Sequence, residues 1–127
     1  MKKTTLWGFT VFLFVASSAY GKHPLLTSGA YLKYCQESIK VYEDKHADKL
    51  AAAECLGFVE GAIGMHAALN AFGQSTPFYC MPEHGVDSFD ATTTWVKYLE
   101  KNPQKLDKQP VLSFLLAMKE SFPCPQN

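Results

Sequence analysis

The stretch DKLAAAECLGFVEGAIGMHAALNAFG, residues 48–73, decides how the rest of this chain is read. It is rich in Ala and Leu and stops at Gly73, which suits the left-handed position that closes a helix. One long helix from about Asp48 to Phe72 is therefore predicted. Gly57 and Gly61 lie one turn apart and Gly64 follows near the same side. Such spacing pairs helices in membranes, but Glu54, Glu60 and His66 rule that use out here. Each mid-helix Gly costs up to ~1 kcal/mol relative to Ala. The spacing thus predicts a groove in which another helix backbone comes close.

Three further helices are expected around it. The first runs from about Ser28 to Glu43 with Ser28 as N-cap, because Tyr31, Leu32, Cys35, Ile39 and Tyr42 recur at three- and four-residue steps. Asp44 to Ala47 is a polar turn. Beyond Gly73 a loop from Gln74 to Gly85 carries Pro77 and Pro82. Asp87 or Ser88 then caps a helix holding Phe89, Trp95, Val96, Tyr98 and Leu99. It ends at Asn102-Pro103, since a residue before proline avoids the helical region. The last helix starts at Pro110, a favoured first-turn residue, and runs to about Ser121. Val111, Leu112, Leu115, Leu116, Met118 and Phe122 give it a wide apolar face, and Pro123 and Pro125 stop it. No strand is expected. The fold class is an all-α four-helix bundle.

The N-terminus reads as an export signal over residues 1–21. Lys2 and Lys3 precede an apolar run from Leu6 to Val15, and Ala19-x-Gly21 offers a cleavage site. The run is short for a bilayer, which needs about 20 residues, so a cleaved signal is preferred to an uncleaved anchor. The domain would span residues 22–127, free of the membrane after cleavage. Cys35, Cys55, Cys80 and Cys124 all follow the cut and would mature in an oxidising periplasm. Cys35 and Cys55 are symmetric about residue 45, in the first turn, so a helical hairpin brings them together. Cys80 and Cys124 flank the third and fourth helices in the same way. The predicted disulfides are Cys35–Cys55 and Cys80–Cys124.

Several function classes are disfavoured. All twelve basic residues are Lys, and residues 22–127 keep ten Lys against twelve Asp and Glu. That balance gives no cationic field for nucleic acid. Oxidised cysteines serve neither as nucleophiles nor as zinc ligands. His23, His46, His66 and His84 form no metal-binding motif, and His66 reads as a packing residue rather than a base. Glu83, His84 and Asp87 in an exposed turn read as solvated rather than metal-binding. Asp87 and Asp90 fit the first turn of a helix better than a catalytic pair. No phosphate loop or serine elbow is present. No enzyme and no cofactor are expected.

The loop TPFYCMP, residues 76–82, offers the best working surface. Two prolines and a disulfide would stiffen it, and stiff aromatic loops bind with less ordering cost. Phe78, Tyr79, Met81, Glu83 and His84, with Asp87 and Asp90 beside them, are the expected partner-binding residues. An equal reading has Phe78 and Met81 plug the open end of the bundle.

Four stretches carry a specific resemblance. They are Leu32-Lys33-Tyr34-Cys35, Cys55-Leu56-Gly57-Phe58-Val59-Glu60-Gly61, Tyr79-Cys80-Met81-Pro82, and Val96 to Pro103 with the closing Ser121-Phe122-Pro123-Cys124-Pro125. In their order the chain resembles the Rap/Tai family of immunity proteins, which protect bacteria against type VI secretion amidase effectors. It departs at Gly64-Met65-His66, where relatives often carry an acidic residue. The resemblance implies a periplasmic, disulfide-bonded helical protein, often a homodimer, that binds a peptidoglycan amidase effector and blocks its cleft. Two other readings stand beside it: a periplasmic acid-stress chaperone, and a structural subunit of an envelope complex.

Overall fold

The computed structural model describes residues 26–73 and 77–125. The expected export signal lies outside these residues, as do positions 74–76 of the expected loop. Four α-helices follow in order: α1 (Ser28–Tyr42), α2 (Lys49–Ala71), α3 (Ser88–Lys101) and α4 (Pro110–Ser121). A 3₁₀ turn, Pro103–Lys105, joins α3 to α4, and no strand occurs among the described residues. The all-α bundle expected from the sequence is the fold.

Short-range chemistry sets the helix ends. Asp48 accepts hydrogen bonds from the amides of Leu50 and Ala51 and so caps α2. Asp87 caps α3 through the Asp90 amide at 2.8 Å. Gly73 closes α2 with φ of 61°. The cap of α1 differs from expectation by one residue. Thr27, not Ser28, is the N-cap, and its hydroxyl accepts from the Ala30 amide. Ser28 is instead the first helical residue and is fully buried.

That shift has a tertiary cause. The Ser28 and Gly29 amides donate to the carbonyls of Lys108 and Leu106 at 2.9 and 2.8 Å, so the α3–α4 connection receives the start of α1. A Cβ on Gly29 would lie 3.2 Å from the Leu106 carbonyl oxygen, and this is the close approach that needs glycine. The Ser28 hydroxyl donates to the Lys108 carbonyl and sits 2.8 Å from Ser113 Oγ. Ser113 Oγ donates to the Pro110 carbonyl and accepts from Trp95 Nε1 at 3.0 Å. A buried polar network thus ties α1, α3 and α4 at one point, with every member partnered.

The core lies against this network. α1 packs on α2 and on α3, and α3 packs on α4. Phe58 of α2 stacks on Trp95 at 5.1 Å and lies 4.7 Å from the Tyr31 ring, while Phe114 meets Trp95 edge-on at 5.5 Å. Such pairs contribute about 0.5–1.5 kcal/mol each beyond their buried area. Cys35 and Cys55 are bonded inside this core, fully buried, with their Cα atoms 5.1 Å apart. Cys80 and Cys124 are bonded near the surface with Cα atoms 4.8 Å apart. Both pairings agree with the hairpin geometry expected from their spacing. The α1–α2 turn is held further by Glu37, whose carboxylate accepts from Lys40 Nζ and from the Asp48 amide. Those two hydrogen bonds, Lys40 first, hold the carboxyl below its ordinary pKa. Asp44 takes φ of 55° in this turn, a conformation that Asp tolerates better than most residues.

The close helix approach expected at the glycines of α2 is not made among the described residues. A Cβ placed on Gly57, Gly61 or Gly64 would meet nothing within 4 Å. The buried residues of α2 are Ala52, Cys55, Val59 and His66, on the opposite side. The open glycine face points outward.

Candidate functional site

α2 has 23 residues against 15 in α1, so it extends past its partner by about 12 Å at ~1.5 Å per residue. Its overhanging half carries Gly64-Met65-His66-Ala67-Ala68-Leu69-Asn70-Ala71 without a single carboxylate or ammonium. Met65, Leu69 and Phe72 are exposed there, Phe72 to 75%. α4 does not close against this half. Between them runs a groove of about 420 Å³ lined by Ala62, Met65, His66, Leu69, Asn70, Phe78, Val111 and Leu115.

The base of the groove is a stacked pair. The His66 and Tyr79 rings lie 3.7 Å apart and within 9° of parallel. His66 is 7% exposed and Tyr79 is fully buried. Burial pushes the imidazole below its ordinary pKa, opposed in part by a hydrogen bond with the Tyr79 main chain. Burial alone pushes the Tyr79 phenol up to about 12, and its hydroxyl has no partner among the described residues. A neutral imidazole and a neutral phenol therefore face each other at pH 7.

The expected working loop is brought together only in part. Tyr79 is turned inward under α2 rather than outward and is fully buried, so it is not on the exposed surface of the loop. The cause is its stack on His66 and the pull of the Cys80–Cys124 bond, beside which the Cys80 amide donates to the Phe122 carbonyl at 2.9 Å. Met81 is half-buried and packs against the core, the plug role weighed for it. Phe78 is exposed and forms one wall of the groove, with Lys119 Nζ over its ring at 5.0 Å. Glu83 and His84 are exposed in the turn that Gly85 closes through its amide and the Pro82 carbonyl. Asp87 and Asp90 are exposed at the head of α3, and Ser88 donates to Glu60 of α2 beside them at 3.1 Å. Among the described residues no group of three or more His, Cys, Asp or Glu could hold a metal ion.

Sequence reasoning missed the α2–α4 groove. A signal was available in the charge-free run from Gly61 to Gly73, too apolar on all sides for a helix with only one buried face. Among the described residues no helix is long and apolar enough to cross a membrane.

Comparison with known proteins gives one match. A family described as Rap1a immunity proteins matches residues 27–124. No curated protein and no solved structure matches.

Proposed function

The chain belongs to the Rap1a immunity protein family, and from that premise we propose that it is a periplasmic immunity protein that blocks a type VI secretion peptidoglycan amidase effector. An immunity protein needs to bind a cognate effector, and steric occlusion of the effector's cleft demands no chemistry of its own. The observation that carries this reading is the surface loop pinned by Cys80–Cys124. A loop fixed at that end can enter a cleft without paying for its own ordering. Phe78, Glu83 and His84, with Asp87 and Asp90 at the adjacent helix start, form its outer face, and Met81 supports it from below. The export signal at residues 1–21 and two disulfides fit a periplasmic site of action, the compartment where a cell-wall amidase would do damage.

The reading includes a homodimer formed through the outer face of α2. Gly57, Gly61, Gly64 and Ala68 share that face, and Leu50 and Phe72 stand at its two ends, 81% and 75% exposed. They lie eleven residues either side of Gly61. An antiparallel crossing at Gly61 would set Leu50 of one copy against Phe72 of the other. The glycines would let the two backbones approach closely.

The test pairs the processed protein with an amidase effector encoded beside it. Stoichiometric loss of muropeptide hydrolysis, together with survival of cells exporting that amidase, is the expected result. Full amidase activity in the presence of excess protein would end the proposal. Inhibition that survives Glu83→Ala with His84→Ala would move the contact away from the loop.

A further inference from the structure

The α2–α4 groove has features that effector blocking does not use. Its volume of about 420 Å³ falls within the roughly 300–1,000 Å³ of small-molecule sites. Ala62, Met65 and Leu69 line one side, Val111 and Leu115 the other, and Phe78 lies between. His66 and Asn70 are the only polar lining residues, and none of the lining carries a carboxylate or ammonium. Val111, Leu115 and Lys119 follow at four-residue steps along one face of α4. The Lys119 ammonium accordingly stands at the rim, over the Phe78 ring. No salt bridge holds it among the described residues. The result is an uncharged trough with one unneutralised cation at its edge.

We propose that this groove binds an anionic amphiphile, with a single apolar tail along Met65, Leu69, Phe78, Val111 and Leu115 and an acidic head at the Lys119 ammonium. The charge pattern selects the head, and the concave apolar walls select the tail. An amphiphile is favoured over a protein partner because the uncharged apolar lining and the Lys119 ammonium at its edge match a tail and an acidic head. The outer face of α2, proposed above for pairing, is a different surface, so both can be occupied together. The binding needs no effector.

The experiment uses the processed protein alone, titrated with decanoate below its micelle concentration and followed by amide chemical shifts. Saturable one-to-one binding is expected, with shifts confined to residues 62–70, 78 and 111–119. Met65→Glu sets a charge on an exposed wall and should weaken binding on the order of tenfold, with an unchanged thermal melt. Lys119→Glu should weaken it roughly three- to tenfold at low salt and less at high salt. Leu112→Glu, exposed outside the groove, should leave it unchanged. Absence of saturable binding overturns the proposal. Equal affinity for decyltrimethylammonium overturns it too, because the cation at the rim would then select nothing. Shifts at Phe78, Val111 and Leu115, which lie off the α2 pairing face, that grow with protein concentration alone would assign the groove to a second copy and overturn it as well. Effector inhibition is read in a separate assay, so either proposal can fail without the other.

Discussion

Between Lys49 and Glu60, α2 buries Ala52, Cys55 and Val59 in the core, whereas from Gly61 to Ala71 His66 alone is buried and Ala62 and Ile63 pack against the core while partly exposed. Both halves are continuous helix rich in apolar residues, and the charges, Lys49, Glu54 and Glu60, all lie in the first. They differ in what lies beside them. The first half has α1 along its length, a disulfide to Cys35, and Phe58 among Tyr31, Trp95 and Phe114. The second half outruns α1, and beyond Ala62 and Ile63, which still touch the core, Tyr79 stacks on His66 beside an open groove. One half holds the fold together. The other leaves Met65, Leu69 and Phe72 exposed.

This contrast is open to direct attack. The largest effect should come from Cys35→Ser with Cys55→Ser, which releases a loop of 20 residues and costs about 3 kcal/mol in guanidinium unfolding. A loss under 1 kcal/mol would mean that the hairpin holds without its staple. Close behind, Phe58→Ala should destabilise by about 3 kcal/mol, while Phe72→Ala in the overhang should stay within about 0.5 kcal/mol. Equal losses at the two positions would erase the distinction between the halves.

A smaller effect concerns pH. Burial holds the His66 pKa below its unfolded value, so between the two values the unfolded chain binds the extra proton. The stability this supplies is complete above about pH 6.5, the ordinary histidine value, and is lost as pH falls through the folded pKa. Thermal melts across that window should decline with acidification, and His66→Gln should flatten the decline. An unchanged profile in the variant would remove His66 as its source. The smallest effect should be a gain. Gly64→Ala meets open space and should stabilise the monomer by about 0.5–1 kcal/mol. Gly64→Leu should leave that monomer folded yet abolish pairing in sedimentation, if the outer face of α2 is the dimer contact.

Much of the architecture was legible in the chain. α2 starts beside Asp48 as expected, Asp87 is the one of the two caps weighed for α3 that forms, Gly73 closes α2, and Pro110 opens α4. The cysteine pairs follow from helix lengths alone. Other features gave no local sign. Ser28 reads as an ordinary N-cap, and only the carbonyls of Leu106 and Lys108 move the cap back to Thr27. Tyr79 reads as a surface aromatic, and only the ring of His66 draws it inward. The glycines of α2 read as a groove for another helix backbone, but the described helices of this chain pack on the other side.

The division has a physical basis. Caps, prolines and the periodicity of apolar residues act over one or two helical turns, so sequence by itself determined where each helix begins and ends and which cysteines could meet. Burial depends on the relative lengths and placements of several helices at once. Tertiary structure alone decided that Ser28, Trp95 and Ser113 would share one buried network, and that a groove would stay open between α2 and α4.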